Sequence, residues 1–188
     1  MKVGKSIFIV IILPLFIACS DQGQQFAKEI KNLQSKAIQL PSKGLVLQQG
    51  CELQEVNVNE KVLRLVVYAD SIGCTSCAIN RINLWDGFID YAERFNDQLK
   101  FHFIFSPTKK DLNSIKLAIA NSTLDNPIVL DTLGEFEALN PHLPKNRALH
   151  TFLLDKNNNV ILVGNPLHNK KIEEMFYKIV EEKLGKSQ

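Results

Sequence analysis

Residues 62–69 (Val-Leu-Arg-Leu-Val-Val-Tyr-Ala) are an almost unbroken apolar and β-branched run, the pattern of an internal strand covered on both faces. The turn Asp70-Ser71-Ile72-Gly73 leads directly into Cys74-Thr75-Ser76-Cys77. A long helical pattern follows. Ala78, Ile82, Trp85, Ile89 and Ala92 make one apolar stripe, and Leu84, Phe88, Tyr91 and Phe95 make a second. Asn80, Asn83, Asp90 and Arg94 fall on the polar side. So wide an apolar face requires packing against a sheet. A close cysteine pair between a buried strand and the start of such a helix constrains the chain more than its composition does.

That placement has chemical consequences. A helix start offers unpaired N–H groups and the positive end of the macrodipole, both of which stabilise a thiolate. Cys74 is therefore the expected nucleophile, with a depressed pKa. Cys77, one turn further, is within reach to resolve a mixed disulfide by attack on Cys74. Two other uses stay open for the pair, a structural disulfide and a metal site. Zinc would need four ligands, for which Cys51 and His150 are the remaining candidates, and no spacing supports either.

The rest of the chain alternates strands and helices. Phe26–Gln39 has Phe26, Ile30, Leu33 and Ala37 at helical spacing, closed by Pro41 and Gly44. Residues 45–59 suggest two edge strands or a hairpin around Gly50-Cys51. Cys51 itself reads as a small buried residue on an edge strand, with a third exchanging thiol as the alternative. Phe101–Phe105 reads as a strand, 109–121 as a helix, 127–130 as a short strand and 133–139 as a short helix. Thr151–Leu154 and Val160–Val163 flank Asp155-Lys156-Asn157-Asn158-Asn159, whose residues tolerate left-handed turns, so they should form a hairpin. The last helix, 170–184, should turn Ile172, Met175, Phe176, Ile179 and Leu184 inward, with Asn169 as its cap and His168 on the surface. Trp85 and Phe101, Phe103 and Phe105 read as core, His102 as structural or partly exposed, and His142 as a loop residue. This order is an α/β sandwich with a mixed sheet.

The N-terminus belongs to a separate problem. The chain has 188 residues, 22 basic and 20 acidic side chains, and a formal charge of +2. Lys2 and Lys5 account for that excess, so 19–188 is formally neutral and gives no compositional basis for nucleic-acid binding. A basic start and an apolar run from Ile7 to Ala18, broken by Pro14, are too short to span a bilayer and match a removable export signal; a permanent anchor helix is the alternative. Phe16-Ile17-Ala18-Cys19 resembles a bacterial lipobox. That resemblance implies cleavage before Cys19, its lipidation, and a lipid-anchored location in the cell envelope, periplasm-facing or surface-exposed. The expected division is a signal peptide at 1–18, a tether and N-terminal helix at 19–44, and the folded domain at 45–188. Ser20-Asp21-Gln22-Gly23-Gln24-Gln25 reads as the polar tether. Setting Cys19 aside leaves three thiols, Cys51, Cys74 and Cys77, of which the close pair suits an oxidising compartment.

From about Leu45 to Leu184 the element order and Cys74-Thr75-Ser76-Cys77 resemble the thioredoxin-like superfamily, in particular its envelope-anchored thiol-disulfide oxidoreductases. The resemblance implies a mixed central sheet with helices on both faces and dithiol–disulfide exchange at Cys74 and Cys77. It implies no cofactor and no resident metal. The partners it implies are a disulfide-bearing protein or small thiol, with a membrane or thiol-protein electron donor. Gly73, Thr75 and Ser76 would shape the pair's surroundings. Gly73 stands where such proteins usually carry tryptophan. Their cis-proline, which precedes the late hairpin and faces the cysteines, falls here on Leu149, between Ala148 and His150. A non-proline cis bond is costly, so Leu149 should be trans. Its backbone should then bind a substrate chain poorly, and its N–H should alter the cysteines' environment. Proline's absence also opens the metal alternative, with His150 as distal ligand.

No carboxylate pair has glycosidase spacing, no nucleophile elbow or glycine-rich nucleotide loop occurs, and Ser71 replaces the threonine expected of a peroxidase. A second class of function remains, a lipid-anchored thioredoxin-like scaffold in which the cysteines form a buried staple.

Overall fold

The computed structural model describes residues 15–53, 60–71 and 75–186, with side chains described at 23–53, 60–71 and 77–186. Seven strands form one sheet: β1 (Leu45–Gln48), β2 (Cys51–Leu53), β3 (Leu63–Ala69), β4 (Leu99–Phe105), β5 (Ile128–Leu130), β6 (Thr151–Leu154) and β7 (Val160–Val163). Their spatial order is β2-β1-β5-β4-β3-β6-β7. β3 lies between β4, to which it is parallel, and β6, to which it is antiparallel; Leu65 is thus flanked by Phe101 and Leu153. β4 and β5 are also parallel, and the two outer pairs are antiparallel hairpins. The sheet is mixed and carries helices on both faces, as expected.

Alternation along the strands divides the core into two layers. Leu63, Leu65, Phe101, Phe103, Phe105, Ile128, Leu130 and Leu153 point to one face. There they meet α2 (Thr75–Asn80), a 3-10 turn (Ile82–Trp85), α3 (Asp86–Glu93), α4 (Leu112–Ala120) and α6 (Lys170–Leu184). Trp85 puts its ring edge-on to Phe101 and Phe103, each 6.0 Å away between centroids, which makes it core. Val66, Tyr68, Ile104, Val129, Phe152 and Leu154 point the other way. They pack under Phe136 of α5 (Glu135–Leu139), Leu33 at the end of α1 (Leu15–Leu33), and Ile38 and Leu40 beyond it. Asn140, 1% exposed, fastens this strap: its amide donates to Gln39 O and Phe136 O, and its Oδ1 accepts from Gln39 N at 2.9 Å.

Several local expectations change. The N-terminal helix covers Leu15–Leu33 rather than 26–39, so the stretch read as a polar tether is helical and Ala37 is exposed beyond the helix. The single long helix after the cysteines is three pieces, interrupted at Arg81. The 3-10 geometry of Ile82–Trp85 advances each residue by about 120° rather than about 100°, which carries Leu84 off the apolar face to 57% exposure. Met175 is 48% exposed; the inward residue is Val180, which follows Phe176 by four positions. His102 and His142 are both buried. Asn169 does cap α6, accepting from Lys171 N at 3.0 Å and Ile172 N at 3.3 Å. Gln49 and Gly50 both have positive φ, 47° and 79°, in the two-residue turn joining β1 to β2.

Candidate functional site

Cys77 is the third residue of α2, solvent-exposed, and disulfide-bonded. Ile72, Gly73 and Cys74 lie outside the described residues, as do the side chains of Cys19, Thr75 and Ser76 and residues 1–14 of the stretch read as a signal, whose last four residues fall in α1. Cys77 opens onto a cavity of about 680 Å³ beside the end of β3 (Val67, Ala69), the first turn of α6, and Arg147, Ala148 and Leu149. The topology accounts for this meeting. β3 delivers the chain to α2, and antiparallel β6 starts at the same end of the sheet, so the residues before β6 arrive opposite those after β3.

The segment before β6 is a 3-10 turn, Arg147–Leu149, in which all described peptide bonds are trans. Three successive N–H groups are used within it. Ala148 N donates to Asn146 Oδ1 at 3.0 Å, Leu149 N to Asn146 O at 3.0 Å, and His150 N to Arg147 O at 3.0 Å. The Leu149 N–H, expected to act on the cysteine environment, is therefore consumed by the turn. None of these donors is left to pair with an extended substrate chain. Leu149 itself is 1% exposed and forms part of the apolar floor.

His150 takes another direction. It is buried, its Nε2 lies 2.9 Å from Pro144 O, and its ring sits 5.1 Å from that of Tyr68 on the far side of the sheet. Tyr68 donates to Glu137 Oε1 at 2.9 Å, and burial pushes its phenol well above the usual range, so it stays neutral. Cys51 is a free, exposed thiol on edge strand β2, which corrects the buried reading. Three strands separate β2 from β3, about 19 Å at the usual strand spacing. Neither His150 nor Cys51 joins Cys77, so the ligands considered for a metal at the pair are not assembled. No group of three or more His, Cys, Asp or Glu with metal-holding geometry exists among the described residues.

The sequence reading missed the polar and apolar surroundings of Cys77. Arg81 and Arg147 both line the cavity, with His168 at its α6 end. Arg147 Nε donates to Asp70 Oδ2 at 2.8 Å, tying the turn to the end of β3. Arg81 follows Cys77 by four residues, a spacing that was available from sequence. Positive charge near a thiol favours its thiolate. Phe26 of α1 also lines the cavity, which nothing in the local sequence signals.

The parallel β3-β4 unit, the antiparallel β6-β7 hairpin beside it, and helices on both faces make the fold thioredoxin-like. Among solved structures, a protein described as the thiol:disulfide interchange protein DsbE from Chlorobium tepidum superposes with a TM-score of 0.52 at 13% identity, covering 76% of this chain and 95% of its own. One described as an electron transfer protein from Aquifex aeolicus gives 0.51 at 10% identity, covering 82% and 100%. No family model and no curated protein matches the chain.

Proposed function

We propose that this chain carries out dithiol–disulfide exchange in a bacterial envelope, with Cys74 as nucleophile, Cys77 as resolving thiol and Cys19 as the lipid-anchored residue after a cleaved signal. The observation that carries the reading is the exposure of disulfide-bonded Cys77 at the mouth of a cavity. An exposed disulfide beside a cavity is open to attack by an incoming thiolate, which a buried staple is not. Cys51 is free, and of the other cysteines Cys74 is the one three residues away in sequence, just before Thr75 where α2 begins.

In the reduced state the Cys74 thiolate attacks one sulfur of a substrate disulfide. The substrate S–S bond breaks, one substrate thiolate leaves, and a mixed disulfide forms. Cys77, as thiolate, attacks Cys74 Sγ and expels the second substrate thiolate, leaving the Cys74–Cys77 bond. Two electrons have passed to the substrate, and an external dithiol must return them before the next turnover. The six-residue length of α2 limits its macrodipole, so the cation of Arg81, which lines the same cavity as Cys77, adds to thiolate stabilisation, while the charge of Arg147 is paired with Asp70.

The test is a Cys77→Ser variant incubated with a disulfide-bearing peptide. It should accumulate a mixed disulfide at Cys74, while Cys51→Ser exchanges like the parent. Absence of any adduct, with the parent also failing to reduce the peptide, refutes the reading.

A further inference from the structure

Beyond the cysteine pair, the cavity has a wall contributed from outside the 45–188 domain. Phe26 of α1 lines it, and Glu29, one turn along the same helix, reaches the turn that carries Leu149. Glu29 Oε2 accepts from the main-chain N–H of Asn146 at 3.0 Å, while its Oε1 accepts from Gln25. Asn146 is the hub of that turn, since its own carbonyl and side chain hold Leu149 N and Ala148 N. A carboxylate on α1 thus fixes the residue that fixes the loop opposite Cys77.

The wall is also apolar where it meets solvent. Phe26 is 40% exposed and Leu84 57%, and both line this cavity. Exposed large apolar side chains gathered at one opening mark a surface for an apolar partner. Meanwhile the N–H groups of 148–150 are spent internally, so a substrate chain finds no main-chain donor there and side chains take a larger share of recognition.

We propose that α1 is a working part of the exchange site: Phe26 selects disulfides flanked by an apolar side chain, and Glu29 is a positioning residue that holds the Asn146–Leu149 turn against the substrate. This rests on the exchange reading above and names the substrate class it acts on. Phe26 and Glu29 supply no nucleophile and no leaving group, so their effect is on binding rather than on the chemical step.

The test uses the full chain and two peptide disulfides that are identical except for Leu or Ser beside the cysteine. The parent should prefer the Leu peptide in kcat/KM by about three- to tenfold, less than a closed pocket achieves because this one is open. Phe26→Ala should erase that preference by lowering kcat/KM for the Leu peptide about three- to tenfold. Glu29→Ala should raise KM for both peptides at constant kcat, and Glu29→Gln, which keeps an acceptor oxygen, should restore it. A preference that survives Phe26→Ala, or an unchanged KM in Glu29→Ala, overturns the proposal. A parent inactive on both peptides instead refutes the exchange reading. The wall is then read from alkylation of reduced Cys77 by phenylmaleimide against iodoacetamide. Phe26→Ala should lower that rate ratio, and an unchanged ratio overturns the role of α1 whether or not exchange occurs.

Discussion

Replacing Leu149 by proline, the residue that thioredoxin-like proteins carry at this position, should weaken the protein. Leu149 is 1% exposed and its N–H donates to Asn146 O at 3.0 Å inside the 3-10 turn. Truncation to alanine loses buried apolar contact and leaves a void, a cost of about 2–5 kcal/mol. Proline keeps more apolar bulk than alanine but cannot donate the hydrogen bond and drives Ala148 out of the helical region, for which an interior helix position sets a scale of about 3 kcal/mol. The comparison of Leu149→Pro with Leu149→Ala therefore isolates the backbone term. Urea unfolding followed by the fluorescence of Trp85, the one tryptophan and 4% exposed, reads it directly. With a denaturant slope of about 2 kcal/mol/M, the proline variant should unfold about 1–2 M earlier than the alanine variant. Equal midpoints would show that the turn's hydrogen bonds do not hold this loop.

Two further outcomes follow from buried and capping groups. His102 is 6% exposed, and burial, with Arg64 and Lys100 nearby, lowers its pKa from 6.5 to about 4. The folded chain thus favours the neutral ring, so this stability is complete above pH 6.5 and is lost as pH falls from there towards 4, by about 3 kcal/mol in all. Urea midpoints measured between pH 7 and 4 should show this slope, and His102→Leu should flatten it. Asn169→Ala removes the acceptor for Lys171 N and Ile172 N and should cost about 1 kcal/mol in the same assay. A loss no larger than that of an exposed mid-helix substitution such as Lys178→Ala would show that the cap contributes nothing.

The strand order was legible because each strand announces itself locally. Residues 62–69 and 101–105 are apolar runs with β-branched or aromatic content, and the asparagine-rich 155–159 joins the late hairpin. Where the periodicity depends on an unbroken helix the reading failed. Leu84 looked apolar-facing only while 78–95 was one α-helix, and the 3-10 turn rotated it outward. Met175 is apolar but lies off the Ile172-Phe176-Val180 row that faces the core. At the site, the place of Leu149 in the cavity that Cys77 lines was readable from the hairpin that follows it. The internal hydrogen bonding of its turn was not, because it depends on Asn146 and on Glu29, 117 residues earlier. Phe26 and Arg147 reach the cavity by tertiary packing, which no local pattern encodes.

The strap that covers the second face of the sheet has a kinetic consequence. Its fastenings join Gln39 to Asn140, Asn32 to His142 and Ile38 to Asn158, all separated by more than 100 residues. Contacts of such sequence separation form late, since the intervening loop must be closed before they return any energy. During synthesis the helix Leu15–Leu33 emerges well before residues 140–158, which hold its docking partners. Docking of the strap therefore waits for the 140–158 segment, on which these three hydrogen bonds depend.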